Sequence, residues 1–102
     1  MYKAYITIEA ETPEALKIVE AMKGAAAADT AADAAYTFPN RGAVLVYSNA
    51  PDPGTTLHIR SNTSEDLAAE TWEAVKASGA AATYENSEGD IIDATAPALA
   101  AA

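Results

Sequence analysis

The stretch 36-YTFPNRGAVLVYSNAPDPGTTLHIRS-61 contains three strand-like runs separated by two turn segments. The first and third runs have large apolar or aromatic residues at alternate positions, a period of two that is typical of a half-buried β-strand, and the middle run, 44-VLVY-47, is continuously apolar or aromatic. The separating segments, 40-NRG-42 and 49-NAPDPG-54, are rich in residues that favour turns. The stretch therefore predicts three antiparallel strands, around which the rest of the fold is arranged.

The first turn decides which residues share a face of the sheet. We expect a type I turn with a left-handed Gly42 in a bulge, which sets Pro39 opposite Ala43. Tyr36 and Phe38 then lie on the same face as the valines of the next strand. A tight two-residue turn with Phe38 opposite Ala43 would put both aromatic residues on the other face. The bulged turn is favoured because it gathers the large residues.

The second hairpin extends the same face. Pairing Val46 with Leu57 brings Val44 next to Ile59 and completes one aliphatic and aromatic surface. The alternation leaves a second set of side chains on the opposite face: Thr37, Leu45, Tyr47, His58 and Arg60.

Before this stretch, residues 2–10 alternate and predict a strand. The segment 12-TPE-14 then predicts the start of a helix, with Thr12 as the N-cap. Gly24 either ends this helix or lies inside a longer one. We expect the alanine-rich segment 25–35 to complete the helix and turn back to the sheet, with a short helical turn at 30-TAAD-33. The expected buried stripe consists of Ala15, Ile18, Val19, Met22 and Ala26.

After this stretch, 63-TSED-66 predicts a second helix with Thr63 as its cap, and Gly79 ends it. Two further strand-like runs, 81-AATYE-85 and 90-DIIDAT-95, flank a hairpin turn at 86-NSEG-89. The inner stripe of the helix is expected to consist of Leu67, Ala68, Thr71, Trp72, Val75 and Ser78.

These elements give the order β-α-β-β-β-α-β-β and predict an α+β fold. The expected architecture is a two-layer sandwich with two helices on one face of a mostly antiparallel sheet. The order resembles the ferredoxin-like fold or a close variant, because it embeds a β-α-β-β-α-β unit. We expect one domain over residues 1–96 and an alanine-rich C-terminal tail over 97–102.

Composition narrows the expected partners. The chain has 102 residues, a formal net charge of −9 and no cysteine. This charge disfavours nucleic acid and anionic membranes as partners, and the lack of cysteine excludes disulfides. There is no apolar run of spanning length, and residues 1–10 alternate where a signal peptide would not. We therefore expect a soluble recombinant protein, or a cytoplasmic one if it is natural.

No residues are predicted to be catalytic, to bind a cofactor or to hold a metal. His58 has no serine beside it in any defensible register, so a solvated or interface role is favoured over catalysis. The acidic segment 85–91 superficially suggests a calcium loop, but Tyr84 and Thr95 fall where carboxylates are required. It is interpreted as a hairpin turn. The pairs Glu70/Glu73 and Asp90/Asp93 are interpreted as solvated acids.

One candidate interface remains on the sheet face away from the helices. Tyr5, Leu45, Tyr47 and His58 make that face more apolar than full solvation requires. Ordinary β-propensity on an exposed face explains these residues without any function. The functional alternatives are a homodimer contact and a shallow aromatic platform for a ligand.

The caps and turns have the style of a protein designed on a computer. Polar residues precede both helices, Gly79 follows the second, and alanine fills 25-AAAA-28 and 98-ALAAA-102. This resemblance implies a folded scaffold without a native biochemical activity, an enzyme being the least favoured function. The double-proline loop and the large-residue core, which is poorer than in many idealised designs, depart from that style.

Two natural alternatives are kept beside it. The run 55-TTLHIRS-61 into 64-SEDLAAETWEAVKA-77 is loosely similar to small α+β dimerisation subunits such as the dimer-forming component of the tRNA-modifying KEOPS complex, which implies a homodimerising module. A small-ligand regulatory domain of the ACT type would share the topology. It would usually have a glycine-bearing loop after its first strand, where this chain has 11-ETP-13.

Overall fold

A computed structural model describes residues 2–27, 34–49 and 54–95. Within these residues the chain forms an α+β fold with two helices and one open antiparallel sheet of seven strands. Along the chain these are β1 (Tyr2–Ile8), α1 (Thr12–Glu20), β2 (Ala26–Ala27), β3 (Ala34–Phe38), β4 (Gly42–Ser48), β5 (Thr55–Thr63), α2 (Glu65–Ala77), β6 (Ala82–Asn86) and β7 (Ile91–Thr95). The strand order across the sheet is β2-β3-β4-β5-β1-β6-β7.

The two predicted hairpins of the central stretch form. Val46 pairs with Leu57 and Val44 with Ile59, which confirms the predicted register of β4 and β5. Between β3 and β4, however, Phe38 lies opposite Gly42, so the expected pairing of Pro39 with Ala43 is wrong. The shift is by an even number of residues. The side chains therefore keep the predicted faces.

The β3–β4 turn has a physical reason for its register. The amide of Arg41 donates to the carbonyl of Phe38 at 2.9 Å, and Asn40 has a φ of 62°. Proline at the second position and a left-handed residue at the third are the features of a type II turn. The turn therefore closes one residue earlier than a type I turn with a bulge at Gly42.

Alternation places one side of each strand under the helices. Ile6 of β1 pairs with Leu57 of β5 and Tyr84 of β6, and all three are buried. Helix α2 contacts β1, β5 and β6, whereas α1 contacts β3, β4 and α2. The fully buried side chains on this side include Phe38, Ile6, Ile8, Leu57, Ile59, Leu67, Val19, Val44, Val46 and Val75.

Helix α1 is shorter than the sequence suggests. It ends at Glu20, Gly24 follows in a left-handed conformation at φ 88°, and Ala26 is exposed in β2. The expectation that the alanine-rich segment completes the helix is therefore wrong, because Gly24 turns the chain into an edge strand.

At the other end of α1, the N-cap is Glu11 and not the expected Thr12, which is the first helical residue. The proposed helical turn at 30–33 lies outside the described residues.

Helix α2 starts at a different cap from the one expected. Ser64 is the N-cap and its Oγ accepts the amide of Leu67 at 3.2 Å. Thr63 is instead the last residue of β5, where its Oγ1 donates to the carbonyl of Ala43 at 3.2 Å. Ser78, expected in the inner stripe, is the exposed C-cap. The other five stripe residues, Leu67, Ala68, Thr71, Trp72 and Val75, are buried as predicted.

Candidate functional site

The sheet has a second side that neither described helix covers, which we call the open face. Its side chains are those opposite in alternation to the buried ones on β1 and β3–β6, and on β7 they are the ones that pair with open-face residues of β6. On β1, for example, Ala4 and Ile6 are buried towards the helices, whereas Tyr5 between them is half-buried and Thr7 is exposed. The open face is therefore the large surface of the sheet on which a candidate contact has to be evaluated.

Strand pairing brings the four candidate interface residues together. His58 of β5 lies directly opposite Leu45 on one side and Tyr5 on the other. Tyr47 lies two residues along β4 from Leu45, diagonal to His58. We refer to Tyr5, Leu45, Tyr47 and His58 as the open-face cluster. All four side chains are half-buried.

Ring contacts order this cluster. The Tyr5 and His58 rings meet edge to face, with centroids 4.9 Å apart and planes at 88°. The rings of Tyr47 and His58 are 4.3 Å apart at 44°. These distances are typical of favourable aromatic pairs. The imidazole thus lies between two phenol rings at the centre of the sheet, and the cluster is packed before any partner binds.

Acidic side chains are scarce around the cluster. The seven described strands contain only Glu85 and Asp93 of the fifteen acidic residues of the chain. Glu85 lies on the open face, where it pairs with Tyr5. Asp93 lies opposite Tyr84 and is used on the helix side. In a chain with a net charge of −9, Glu85 is therefore the one acid that the described strands place on the open face.

The apolar surface continues to one edge of the sheet. Ile91 of β7 pairs with Glu85, so it belongs to the open face, and it is 64% exposed. Ile92 is 49% exposed and lies at a register shift in β7. Neither isoleucine is among the interface residues predicted from the sequence. Their position in a short run beside a turn predicts a strand. It does not indicate that this strand, β7, is the outermost one of the sheet.

The helix side of the same edge is closed by polar contacts. The indole Nε1 of Trp72 donates to Oδ2 of Asp93 at 2.9 Å, and the Trp72 and Tyr84 rings are 5.4 Å apart. The hydrogen bond from Trp72, together with the Ala94 amide and the nearby Lys76, lowers the pKa of the Asp93 carboxyl. Asp93 is exposed, as its interpretation as a solvated acid requires, and it also anchors β7 to α2 through this hydrogen bond.

At the end of β1 there is an open depression of about 430 Å³, lined by Glu9, Ala10, Glu11, Glu14 and Gly54. Within residues 2–27, 34–49 and 54–95, no three His, Asp or Glu side chains are grouped to hold a metal ion. No buried side-chain polar atom of these residues lacks a hydrogen-bond partner.

The acidic hairpin turn is held by its own side chain. Oδ1 of Asn86 accepts the amides of Glu88 and Asp90 at 2.9 and 3.0 Å. The Asn86 amide donates to the carbonyl of Asp90 at 3.0 Å. This geometry confirms the interpretation of 86-NSEG-89 as a hairpin turn between β6 and β7.

Comparison with protein-family models, with curated protein sequences and with solved structures gives no match to this chain. Neither helix of the described part of the chain is long and apolar enough to cross a bilayer. The open face is therefore the feature of the described residues from which a function can be inferred.

Proposed function

We propose that this protein is a small self-associating module that binds a second copy of itself through the open face. The observation that carries the proposal is the open-face cluster, in which Tyr5, Leu45 and Tyr47 surround His58 on a sheet surface that neither helix covers. Interface cores are enriched in aromatic side chains and depleted of charged ones. The cluster has both properties.

Because both copies carry the same net charge, they are expected to associate only through a surface that has few acids. Two chains of net charge −9 repel each other over most orientations. Pairing through the open face keeps the acidic turns and the acidic side of α2 in solvent. Only Glu85 of the acids in the described strands is brought towards the partner. A two-fold arrangement of this kind is the usual form of a homodimer.

The size of the face sets the expected affinity. The seven described strands hold 40 residues, which at about 3.3 Å per residue and about 4.8 Å between strands cover roughly 600 Å² per copy. The total of roughly 1,200 Å² is at the lower end of specific interfaces. We therefore expect a dimer that forms and dissociates in the micromolar range rather than an obligate one.

Face-to-face packing is favoured over pairing through the edge strand β7. The register shift at Ile92 is a bulge, and bulges bend and twist an edge strand away from a new partner. Asp93 on the same strand is engaged with Trp72. Ile91, by contrast, extends the apolar open face outward to its margin.

Sedimentation equilibrium with two charge variants tests the proposal. Tyr47→Glu adds a negative charge inside the cluster, and Ala69→Glu adds the same charge at an exposed position of α2. We expect wild type to dimerise between about 1 µM and about 1 mM, Tyr47→Glu to weaken the dimer at least about tenfold, and Ala69→Glu to change it less than about threefold. A wild type that stays monomeric throughout, or equal effects of the two variants, contradicts the proposal.

We also propose that the core of the fold is ferredoxin-like. The order β4-β5-β1-β6 supports this, with α1 after β1 and α2 after β5. It is the strand arrangement expected for a β-α-β-β-α-β unit. On this proposal β2, β3 and β7 are additions at the two edges.

The other functional expectations stay predictions. Self-association through the open face is compatible with a designed scaffold that has no native activity. It is also compatible with a protein that catalyses no reaction. The small-molecule alternative would use the same open-face cluster as a platform. It is ranked second because a cluster that spans three neighbouring strands is a broad surface, whereas ligand sites are usually concave.

A further inference from the structure

We propose that His58 makes this self-association sensitive to pH, so that the dimer dissociates when the imidazole is protonated. This inference rests on the proposed function, because it concerns the regulation of the same surface. Histidine is the side chain that ordinarily changes its charge between pH 5 and 8. His58 is the single histidine of the chain, so any effect in this range can be assigned to one side chain and tested by one substitution.

The position of His58 is the first observation. It lies on β5, near the middle of the sheet. Strands β2, β3 and β4 lie on one side of β5, and β1, β6 and β7 lie on the other. Leu45 and Tyr5 are its direct cross-strand neighbours, and the Tyr47 ring is 4.3 Å away. A second open face laid on this one would remove water from the imidazole. The charged form loses more solvation than the neutral form when this happens.

The groups around the imidazole are the second observation. On β1 it faces the phenol of Tyr5, and on β4 it faces Leu45 and the phenol of Tyr47. Along its own strand the next side chain in alternation is Arg60, which is exposed. The described acid nearest in the pairing pattern is Glu85, across Tyr5 on β6. Among these described groups, Glu85 lies one strand further away than Tyr5, and Arg60 adds a like charge along the strand.

Symmetry doubles the effect. In a two-fold interface the same patch occurs on both copies, so protonation places two imidazolium groups in one contact. The faces of the tyrosine rings stabilise the imidazolium cation in the monomer and in the dimer alike. In the monomer, water also solvates this cation. The monomer therefore binds the proton more tightly than the dimer. By linkage, lowering the pH favours the monomer.

The expected direction is opposite to the effect of net charge. Lowering the pH reduces the negative charge of a chain at −9 and by itself weakens repulsion between copies. Carboxylates begin to titrate mainly below pH 5, however, whereas histidine titrates above it. Between pH 7.5 and 5.5, weakening of the dimer therefore identifies the histidine, and strengthening identifies general charge.

Sedimentation equilibrium of wild type and His58→Gln at pH 7.5 and 5.5 tests this. Glutamine keeps a polar, uncharged group at the position. We expect the wild-type dissociation constant to rise at least about tenfold on acidification, and that of His58→Gln to change by less than about twofold. A wild-type dimer whose affinity is unchanged or greater at pH 5.5, or a variant with the same pH response, overturns the inference but leaves the self-association intact. A wild type that is monomeric at both pH values overturns the proposed function and this inference with it.

A measurement on wild type alone covers the case in which His58→Gln fails to fold. The imidazole ring protons report protonation directly in NMR spectra. The titration midpoint of His58 should move to lower pH as the protein concentration is raised from the monomeric to the dimeric range. A midpoint that does not depend on concentration, in a sample that dimerises, overturns the inference.

Discussion

The indole Nε1 of Trp72 donates a hydrogen bond of 2.9 Å to Oδ2 of Asp93. This contact joins the middle of α2 to the edge strand β7, and it is made on the side of the sheet opposite the open face. Trp72 is 4% exposed and its ring packs 5.4 Å from that of Tyr84. The contact between this aromatic side chain and this carboxylate therefore ties the edge strand to the core in addition to the pairing of β7 with β6.

Truncating Trp72 should be costly. Trp72→Ala removes a buried ring and leaves a cavity, so we expect the free energy of unfolding to fall by about 3 to 5 kcal/mol. Trp72→Phe keeps most of the ring packing and loses the hydrogen bond, for which we expect about 1 to 2 kcal/mol. Urea denaturation followed by circular dichroism measures both. A loss below about 1 kcal/mol for Trp72→Ala would show that the ring does not contribute to the core.

The carboxylate of Asp93 should stabilise the fold in a pH-dependent way. Its pKa is lowered by the hydrogen bond from Trp72, by the Ala94 amide and by the nearby Lys76. A lowered pKa contributes stability that is present above the unfolded value of about 3.9 and is lost as the pH falls through the folded value. Asp93→Asn should therefore be less stable than wild type at pH 7, and the difference should disappear in acid. A difference that persists unchanged to about pH 2 contradicts this assignment.

Tyr36 should give the opposite pH response in base. Burial and the 2.6 Å hydrogen bond from its hydroxyl to Oε1 of Glu20 raise the pKa of Tyr36 to about 12. A raised pKa contributes stability that is present below the unfolded value of about 10 and is lost as the pH rises through the folded value. Wild type should therefore lose stability between pH 10 and about 12 faster than Tyr36→Phe does. Equal slopes for the two proteins in this range would contradict the assignment.

Gly42 should not tolerate a side chain. A Cβ at this position would lie 2.5 Å from the Cα and Oγ1 of Thr63, and its φ of +126° is strained for other residues. Gly79→Ala is the matched control, because Gly79 also has a positive φ, +82°, but no atom within 4 Å of the added carbon. We expect Gly42→Ala to destabilise by about 2 kcal/mol or more beyond Gly79→Ala. Equal losses in urea denaturation would show that backbone conformation alone matters.

The sequence predicts the centre of this fold better than its margins. Large residues at alternate positions and a proline-containing turn predict the β4–β5 register, and Val46 does pair with Leu57. The cap of α2 is displaced by one residue because Thr63 and Ser64 are both good N-cap residues in isolation. The tertiary contact of Thr63 with Ala43 decides between them, and local sequence does not contain it.

In the alanine-rich segment, the sequence predicts the wrong secondary structure. Ala26 satisfies the helical spacing after Met22, yet it is an exposed edge-strand residue. Alanine has no bulk to prefer one period over another, so the pattern carries little information there. The left-handed Gly24 decides the outcome, and its two interpretations are equally compatible with the sequence.

The candidate interface residues could be found because alternation and strand pairing fix their common face. Tyr5 and Tyr47 come from strands far apart in the sequence, and His58 lies between them in the sheet. The contribution of Ile91 could not be found, because it depends on β7 being the outer strand and on the shift at Ile92. Sheet order is a global property that no local pattern specifies.

The most direct test of self-association through the open face is an NMR measurement of intermolecular contacts. Equal amounts of ¹³C-labelled and unlabelled protein are mixed at a concentration where the dimer forms, and contacts between copies are detected as filtered nuclear Overhauser effects. The account predicts contacts from the Leu45 methyl groups to the tyrosine rings of the other copy, and none from the buried Val46 methyl groups. Contacts confined to Ile91 and Ile92 or to the helices would contradict it. A spectrum without contacts from any side chain of the open face would contradict it as well.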